Sequence, residues 1–163
     1  MFTTLIKILA AVVICAALIV VAGWTGLLFY VWPTNVADHS LNITPEVIGE
    51  LKKLALERKF DADKSRAYPG APNEAIRLSA QESVDLIIQS LITELPASPR
   101  RKTVLRTFKF ALSGLQLGDS EERDQLLTYL ERVMTLVGVT GSGELLNVWR
   151  YGFPYGWFQS IRG

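Results

Sequence analysis

Hydrophobic residues follow two different patterns along this chain. From Ile8 to Trp32 the sequence contains 25 residues and no charged side chain. A helix of that length rises about 37 Å, which exceeds the roughly 30 Å hydrocarbon core of a bilayer. After residue 43, apolar residues recur at intervals of three and four positions, as in amphipathic helices around one core. The pattern predicts an all-α fold, in which an N-terminal single transmembrane helix is followed by a small four- to five-helix bundle.

The apolar segment is more typical of a membrane anchor than of a cleaved signal peptide. A signal peptide has an apolar core of about 7–15 residues and a small-residue cleavage site. This core is longer, and the nearest candidate site, Asn35-Val36-Ala37, has Asn where a small residue belongs. A lipoprotein would use Cys15, which lies inside the apolar core and follows the bulky Ile14. We therefore expect residues 8–32 to remain in the bilayer as an uncleaved anchor.

Positive charges set the expected orientation of this anchor. Lys7 and the terminal amine precede it, and the next Lys or Arg along the chain is Lys52. The positive-inside rule then places residues 1–7 in the cytoplasm and the C-terminal domain in the periplasm or outside the cell. The sequence thus predicts a single-pass protein of the inner, or cytoplasmic, membrane.

Capping residues, Pro and Gly bound the helices expected after the anchor. Thr44 with Pro45, and Ser79 with Glu82, are typical start signals. The expected helices run from Pro45 to about Phe60, from Ser79 to about Leu95, from Pro99 (capped by Ser98) to Gly118, from the Asp119 cap to Val137, and from about Glu144 to Trp149. Residues 33–43 are expected to form a polar tether, residues 44–153 the helical domain, and residues 154–163 an aromatic C-terminal tail.

Composition excludes several classes of function. All 16 acidic residues and 16 of the 17 basic residues follow residue 32, so the domain is formally neutral, which argues against nucleic acid as a partner. Cys15 is the single cysteine and His39 the single histidine, so we expect no disulfide, no metal site and no cofactor. Asp38, His39 and Ser40 are neighbours in sequence and cannot face one another as a catalytic triad requires. With no catalytic constellation, we expect the protein not to be an enzyme.

A basic run is the first candidate binding feature. Arg100, Arg101 and Lys102 open a predicted helix, where cations oppose the macrodipole at a cost of about 0.3–1 kcal/mol each. Something is expected to offset this cost. Glu94, the acidic start of the fourth helix, and an anionic partner such as lipid phosphate or an acidic protein are the alternatives.

Aromatic residues are the second feature, and a long loop is the third. Six of the ten residues from Trp149 to Phe158 are aromatic, and alternate positions share one face if the segment is extended. Such a segment either covers the core or forms an exposed site for a partner or the membrane interface.

The loop from Asp61 to Leu78 is long enough either to be functional or to be disordered. The candidate binding residues are Arg100, Arg101, Lys102, Tyr68, Trp149, Tyr151 and Phe153.

The region from Ser83 to Phe153 resembles a bacterial family of small helical domains of unknown function. The residues that carry the resemblance are Arg106 to Lys109, Glu122-Arg123, Tyr129 to Glu131, and the C-terminal motif Leu145-Leu146-Asn147-Val148-Trp149-Arg150-Tyr151-Gly152-Phe153. The resemblance implies a bacterial source and an all-α fold. It implies no activity.

These observations favour a membrane-anchored, extracytoplasmic protein-interaction domain. It would contact the lipid bilayer through residues 8–32 and would have a protein partner. One concrete form is an immunity-type protein that binds a toxin. Two alternatives stay open: an accessory subunit of a membrane protein complex, and an enzyme whose site lies near Tyr68 and Arg150. The sequence does not specify an oligomeric state.

Overall fold

A computed structural model describes residues 2–31, 37–115 and 120–152. Within these ranges the chain forms α-helices and one short 3-10 turn, with no strand. The helices are α1 (Phe2–Val31), α2 (Pro45–Leu56), α3 (Glu74–Glu94), α4 (Arg101–Gly114), α5 (Ser120–Val137) and α6 (Leu145–Tyr151), and the 3-10 turn is Lys64–Arg66. The predicted all-α fold, an apolar N-terminal helix followed by a helical bundle, is confirmed.

Helix α1 is separate from the core of the bundle. Its segment Ile6–Gly26 is long and apolar enough to cross a membrane, and residues 6–25 of this segment are exposed. The exposed side chains include Leu9, Ile19 and Trp24. A signal sequence near the N-terminus can meet the same criteria of length and polarity, so the uncleaved anchor stays a prediction.

The core of the bundle is organised around α3, which packs against α2, α4 and α5. Its large side chains include Leu51, Ile88, Phe108 and Leu130, each of which is fully buried. Burial of such side chains contributes about 1.5–3 kcal/mol each. The apolar faces predicted from three- and four-residue spacing are the faces that the structure buries or partly buries.

Two predicted helix starts are wrong. Helix α3 begins at Glu74, because Asn73 caps it by accepting a hydrogen bond from the Ile76 N–H at 3.0 Å. The expected capping box at Ser79 therefore lies inside the helix. Helix α4 has Arg100 rather than Ser98 at its N-cap position, and Arg100 makes no side-chain capping bond.

The end of α2 also differs from the prediction. The helix stops at Leu56 because Glu57 is extended, with ψ 140°, so Phe60 lies beyond it. Phe60 is fully buried and has a left-handed backbone, φ +63°, which is uncommon for a residue with a side chain. Its N–H donates to the Tyr129 hydroxyl at 3.1 Å, and the two ring centroids lie 5.3 Å apart. These contacts stabilise the strained backbone conformation of Phe60. The predicted cap at Thr44 is confirmed, with its hydroxyl 3.5 Å from the Val47 N–H.

Candidate functional site

A short segment after the membrane helix is bound to the domain. Residues 38–41, hereafter the strap, lie antiparallel to residues 99–101. The Leu41 N–H donates to the Pro99 carbonyl at 2.7 Å, and the Arg101 N–H donates to the His39 carbonyl at 3.0 Å. Leu41 is buried in the core. The end of the predicted polar tether is therefore packed on the bundle, and residues 33–36 lie outside the described residues.

Asp38 supplies the cap that Arg100 cannot. One carboxylate oxygen accepts from the Lys102 backbone N–H at 2.9 Å, and the other accepts from Arg100 Nε at 2.8 Å. Lys102 Nζ lies 3.7 Å from the same carboxylate. Burial alone would raise the pKa of Asp38, but the hydrogen bonds and charges of Lys102 and Arg100 hold it below its usual value. The cost of placing cations at a helix start is thus offset by an aspartate that the sequence analysis did not pair with them.

The other basic residues of α4 also have partners within the domain. Arg101 is buried and donates to the Gly141 carbonyl from Nε at 3.2 Å and Nη2 at 2.9 Å. Burial lowers the pKa of its guanidinium. Arg106 lies 3.1 Å from Glu94. Glu94, expected to offset the basic run, therefore pairs one turn further along α4. A role for the run in binding stays a prediction.

A buried polar network lies where the chain passes from α2 to α3. Lys59 is fully buried, with Nζ 2.9 Å from the Glu57 carbonyl and 2.7 Å from Asp85 Oδ1. Arg77 donates to the Lys59 carbonyl at 3.0 Å and to Gln81 Oε1 at 2.6 Å. In sequence, Lys59 resembles any surface lysine after a helix, and only its tertiary neighbours show that it is internal. The network fixes the chain that leads to the strained Phe60.

Tyr68 lies at the base of a shallow pocket. The tyrosine is buried, and its hydroxyl lies 3.5 Å from Glu122 Oε1, itself buried. Burial raises the pKa of Tyr68 well above its usual value, and the charge of Glu122 adds to this effect. The pocket has a volume of about 240 Å³ and is lined by Arg66, Asp124 and Gln125, among others. The loop is ordered by these contacts, and a role for Tyr68 in ligand binding stays a prediction.

The three aromatic candidates differ in position. Trp149 is partly buried, and its Nε1 donates to the Leu112 carbonyl at 3.1 Å. Tyr151 is 44% exposed, with the Arg150 guanidinium 5.1 Å from its ring centroid. The predicted helix from about Glu144 to Trp149 is present as α6, which continues to Tyr151, so these two aromatic residues do not lie on one extended face. Phe153 lies outside the described residues.

Arg150 joins α6 to α5. Its guanidinium makes two hydrogen bonds to the Asp124 carboxylate, one of them from Nη2 at 2.9 Å. These bonds lower the pKa of Asp124 and raise that of Arg150. Asp124 also lines the Tyr68 pocket. The structure therefore brings Tyr68 and Arg150 close to the same aspartate, although they are 82 positions apart in sequence.

A larger groove lies between α2 and α5, with a volume of about 460 Å³. Leu136, which is partly buried, contributes apolar surface to the groove, whereas Leu54 lines it but is almost fully buried. Charged side chains of both signs surround this surface, and two pairs are ionic: Lys53 with Glu50 at 2.6 Å, and Arg132 with Glu57 at 2.9 Å. The groove is not evident from the sequence, because the charged residues of each helix have the pattern of an ordinary solvated face until the two helices lie side by side.

Comparison with known proteins places the domain in a family. The chain is similar to the crystal structure of a DUF3571 family protein from Acinetobacter baumannii AYE, with 27% sequence identity and a TM-score of 0.60 over 72% of this chain and 96% of that chain. No curated protein matches the sequence. Residues 42–154 match a family described as Domain of unknown function (DUF4844). Because this match covers more than half of the 163 residues, the chain belongs to the DUF4844 family.

Proposed function

We propose that this protein is a single-pass, membrane-anchored interaction domain whose bundle lies outside the cytoplasm and binds a protein partner. The observation that supports the proposal is the exposure of residues 6–25, next to a bundle whose hydrophobic core contains none of them. A helix with about 20 apolar residues exposed to solvent would be costly in water, whereas a bilayer would cover it. Lys7 before the helix supports a cytoplasmic N-terminus.

The groove between α2 and α5 is the surface best suited to a protein partner. Apolar surface inside a charged rim is the usual arrangement of a protein interface. The rim contains Lys53, Arg66 and Arg132 together with three glutamates, so it has no net charge to attract nucleic acid. Of the binding residues predicted from sequence, Arg100, Lys102 and Tyr151 keep exposed side chains, and none of the three lines the groove.

We also propose that the domain acts by binding rather than by catalysis. His39 is exposed, and its Nδ1 lies 3.0 Å from the Ala37 carbonyl. Across residues 2–31, 37–115 and 120–152, no three or more His, Cys, Asp or Glu side chains form a group suited to a metal ion. A turnover measured with purified protein and lost on Arg66→Ala, in the Tyr68 pocket, would contradict this proposal.

The central experiment is capture of a partner by the full-length protein from detergent-solubilised membranes. Thr135→Trp places a large side chain in the groove, and Gln89→Trp makes the same change on the exposed face of α3. We expect a specific partner to bind the wild type and Gln89→Trp but not Thr135→Trp, with all three proteins equally helical. Equal capture by both variants would exclude the groove. Consistent failure of all three proteins to capture a partner would argue against an interaction domain.

Replacement of the anchor separates the main proposal from an accessory subunit. A Cβ built on Gly23 would meet no atom within 4 Å, so another membrane helix could approach α1 closely at this glycine. An unrelated anchor in place of residues 1–32 should preserve a function that resides in the bundle and abolish one that depends on lateral contacts. An immunity-type role predicts, in addition, that cells lacking the protein become sensitive to a toxin acting outside the cytoplasm.

The motif from Leu145 to Phe153 supports a finer assignment within the family. Trp149 bonds α6 to α4, and Arg150 bonds α6 to α5. We therefore expect both residues to recur in related sequences. The proposal is that this motif marks a bacterial group of such domains. An alignment in which Trp149 and Arg150 vary independently of fold would contradict it.

A further inference from the structure

The strap constrains which end of the bundle can face the membrane. This step rests on the proposed anchoring of α1. From Trp32, the end of the predicted apolar run, to Asp38 the chain has six residue steps, which span about 20 Å at most. The headgroup layer occupies about 5–8 Å of this distance. Asp38 is therefore held within about 15 Å of the headgroups, not far beyond the Debye length at physiological salt.

The end of the bundle bound by the strap is cationic. Arg100 and Lys102 share one carboxylate, that of Asp38. The side chains of Arg100 and Lys102 are 41% and 48% exposed. The positive end of the α4 dipole adds to their field. One turn further on, Arg106 and Glu94 neutralise each other. The strap and the first turn of α4 together therefore have an excess of positive charge.

The opposite end of the bundle is remote from this surface. The 21-residue helix α3 is about 31 Å long, and its C-terminal end is joined to the start of α4 by residues 95–100. Its N-terminus therefore lies at the far end, where Glu74 pairs with Arg58. That pair and the N-terminus of α3 are therefore separated from the strap end by about the length of α3.

We propose that the strap end docks on an anionic bilayer surface through Lys102 and Arg100, with anionic phospholipid as the binding partner. The anchor brings these cations to the membrane, and Asp38 holds them beside the strap. A cation near an anionic surface strengthens attachment by about five-fold. Docking would orient the bundle so that the N-terminus of α3 points away from the bilayer.

The test uses the full chain with Cys15→Ser in vesicles and a fluorophore on a single introduced cysteine. Ala97→Cys places the label beside the strap, and Ala75→Cys places it at the far end; both alanines are exposed. Headgroup-attached nitroxide lipids quench a nearby label. Quenching is compared between phosphatidylcholine vesicles and vesicles with about 30 mol % phosphatidylglycerol, at low and high salt.

We expect phosphatidylglycerol to increase quenching at residue 97 and not at residue 75, and salt to reverse the increase. Lys102→Gln should lower the ratio of docked to undocked protein by about five-fold. The matched change Lys64→Gln, at the far end, should leave the ratio unchanged. Equal quenching at residue 97 in both lipids would overturn the docking proposal while leaving the anchor intact. Loss of the protein from the vesicles on carbonate washing would instead overturn the proposed anchoring.

Discussion

Removal of the Asp38 side chain tests whether the strap stabilises the bundle. Asp38→Ala deletes the acceptor of the Lys102 N–H and the ionic partner of Arg100. The first loss is equivalent to removal of a helix N-cap, which costs about 0.5–2 kcal/mol. The second is a partly exposed pair, worth about 0.2–1 kcal/mol. We therefore expect the free energy of unfolding to fall by about 1–3 kcal/mol.

Asp38→Asn separates the two contributions. Its amide oxygen can still accept from the Lys102 N–H, so it should lose the ionic part of the effect and retain most of the cap. Urea unfolding of the full chain in detergent micelles, followed by the far-UV circular dichroism change of the bundle, measures both variants. Changes within about 0.3 kcal/mol of wild type for both would refute the view that the strap caps α4.

The same pair predicts a pH dependence. The pKa of Asp38 is lowered in the folded protein, so the unfolded protein binds its proton more readily. The ionic stabilisation is therefore complete above the usual aspartate pKa near pH 4 and is lost as the pH falls through the folded-state value. The difference in stability between wild type and Asp38→Asn should shrink below about pH 4. A difference that stays constant down to about pH 2 would contradict the assignment.

Three further predictions concern the bundle. Lys59→Met should destabilise it by about 2–4 kcal/mol in urea, because Asp85 loses its partner, and Asp85→Asn in the same protein should recover part of that loss. Gly70→Ala should destabilise the bundle by about 1–3 kcal/mol, because Gly70 has φ +92° and a Cβ there would lie 3.0 Å from a backbone nitrogen. Gly49→Ala should stabilise the bundle by about 0.5–1 kcal/mol, because Gly49 lies in α2 and a Cβ there would meet no other atom. Trp149→Phe should cost about 1 kcal/mol through loss of the hydrogen bond to a carbonyl of α4, and Trp149→Ala about 2–4 kcal/mol, both measured by thermal melting.

Local patterns predicted the faces of the helices better than their ends. The apolar spacing of α3 and α5 placed Ile88 and Leu130 correctly, because burial on one helix face imposes that spacing. The capping box at Ser79 was misleading, since Ser and Glu are tolerated inside a helix once Asn73 provides an earlier start. Asn is as favourable at an N-cap as Ser, so residue type alone does not decide between a start at Asn73 and a start at Ser79.

The parts of the candidate surfaces that sequence reasoning missed depend on distant pairs. Asp38 caps a helix 62 positions away, and Arg132 pairs with Glu57 across 75 positions. Neither partner has a local signature that distinguishes it from ordinary surface charge. Trp149 was recognised as a candidate core residue at the end of a predicted helix, but its hydrogen bond to Leu112 and the neighbouring Arg150–Asp124 pair have no local signature. Such features follow from the packing of helices and not from the sequence of any one helix.

The strap has a consequence for the order in which the protein is made. Asp38 leaves the ribosome 62 residues before Arg100, a delay of about 3–12 s at about 5–20 residues per second. By the end of that interval α2 and α3 are complete and can pair through Lys59 and Arg77, while residues 99–101, which bind the strap, have yet to follow. A nascent chain that stops before residue 100 thus holds a helical hairpin with Asp38 and Leu41 still in solvent. Asp38 and Leu41 can pack on the bundle only after α4 has been synthesised.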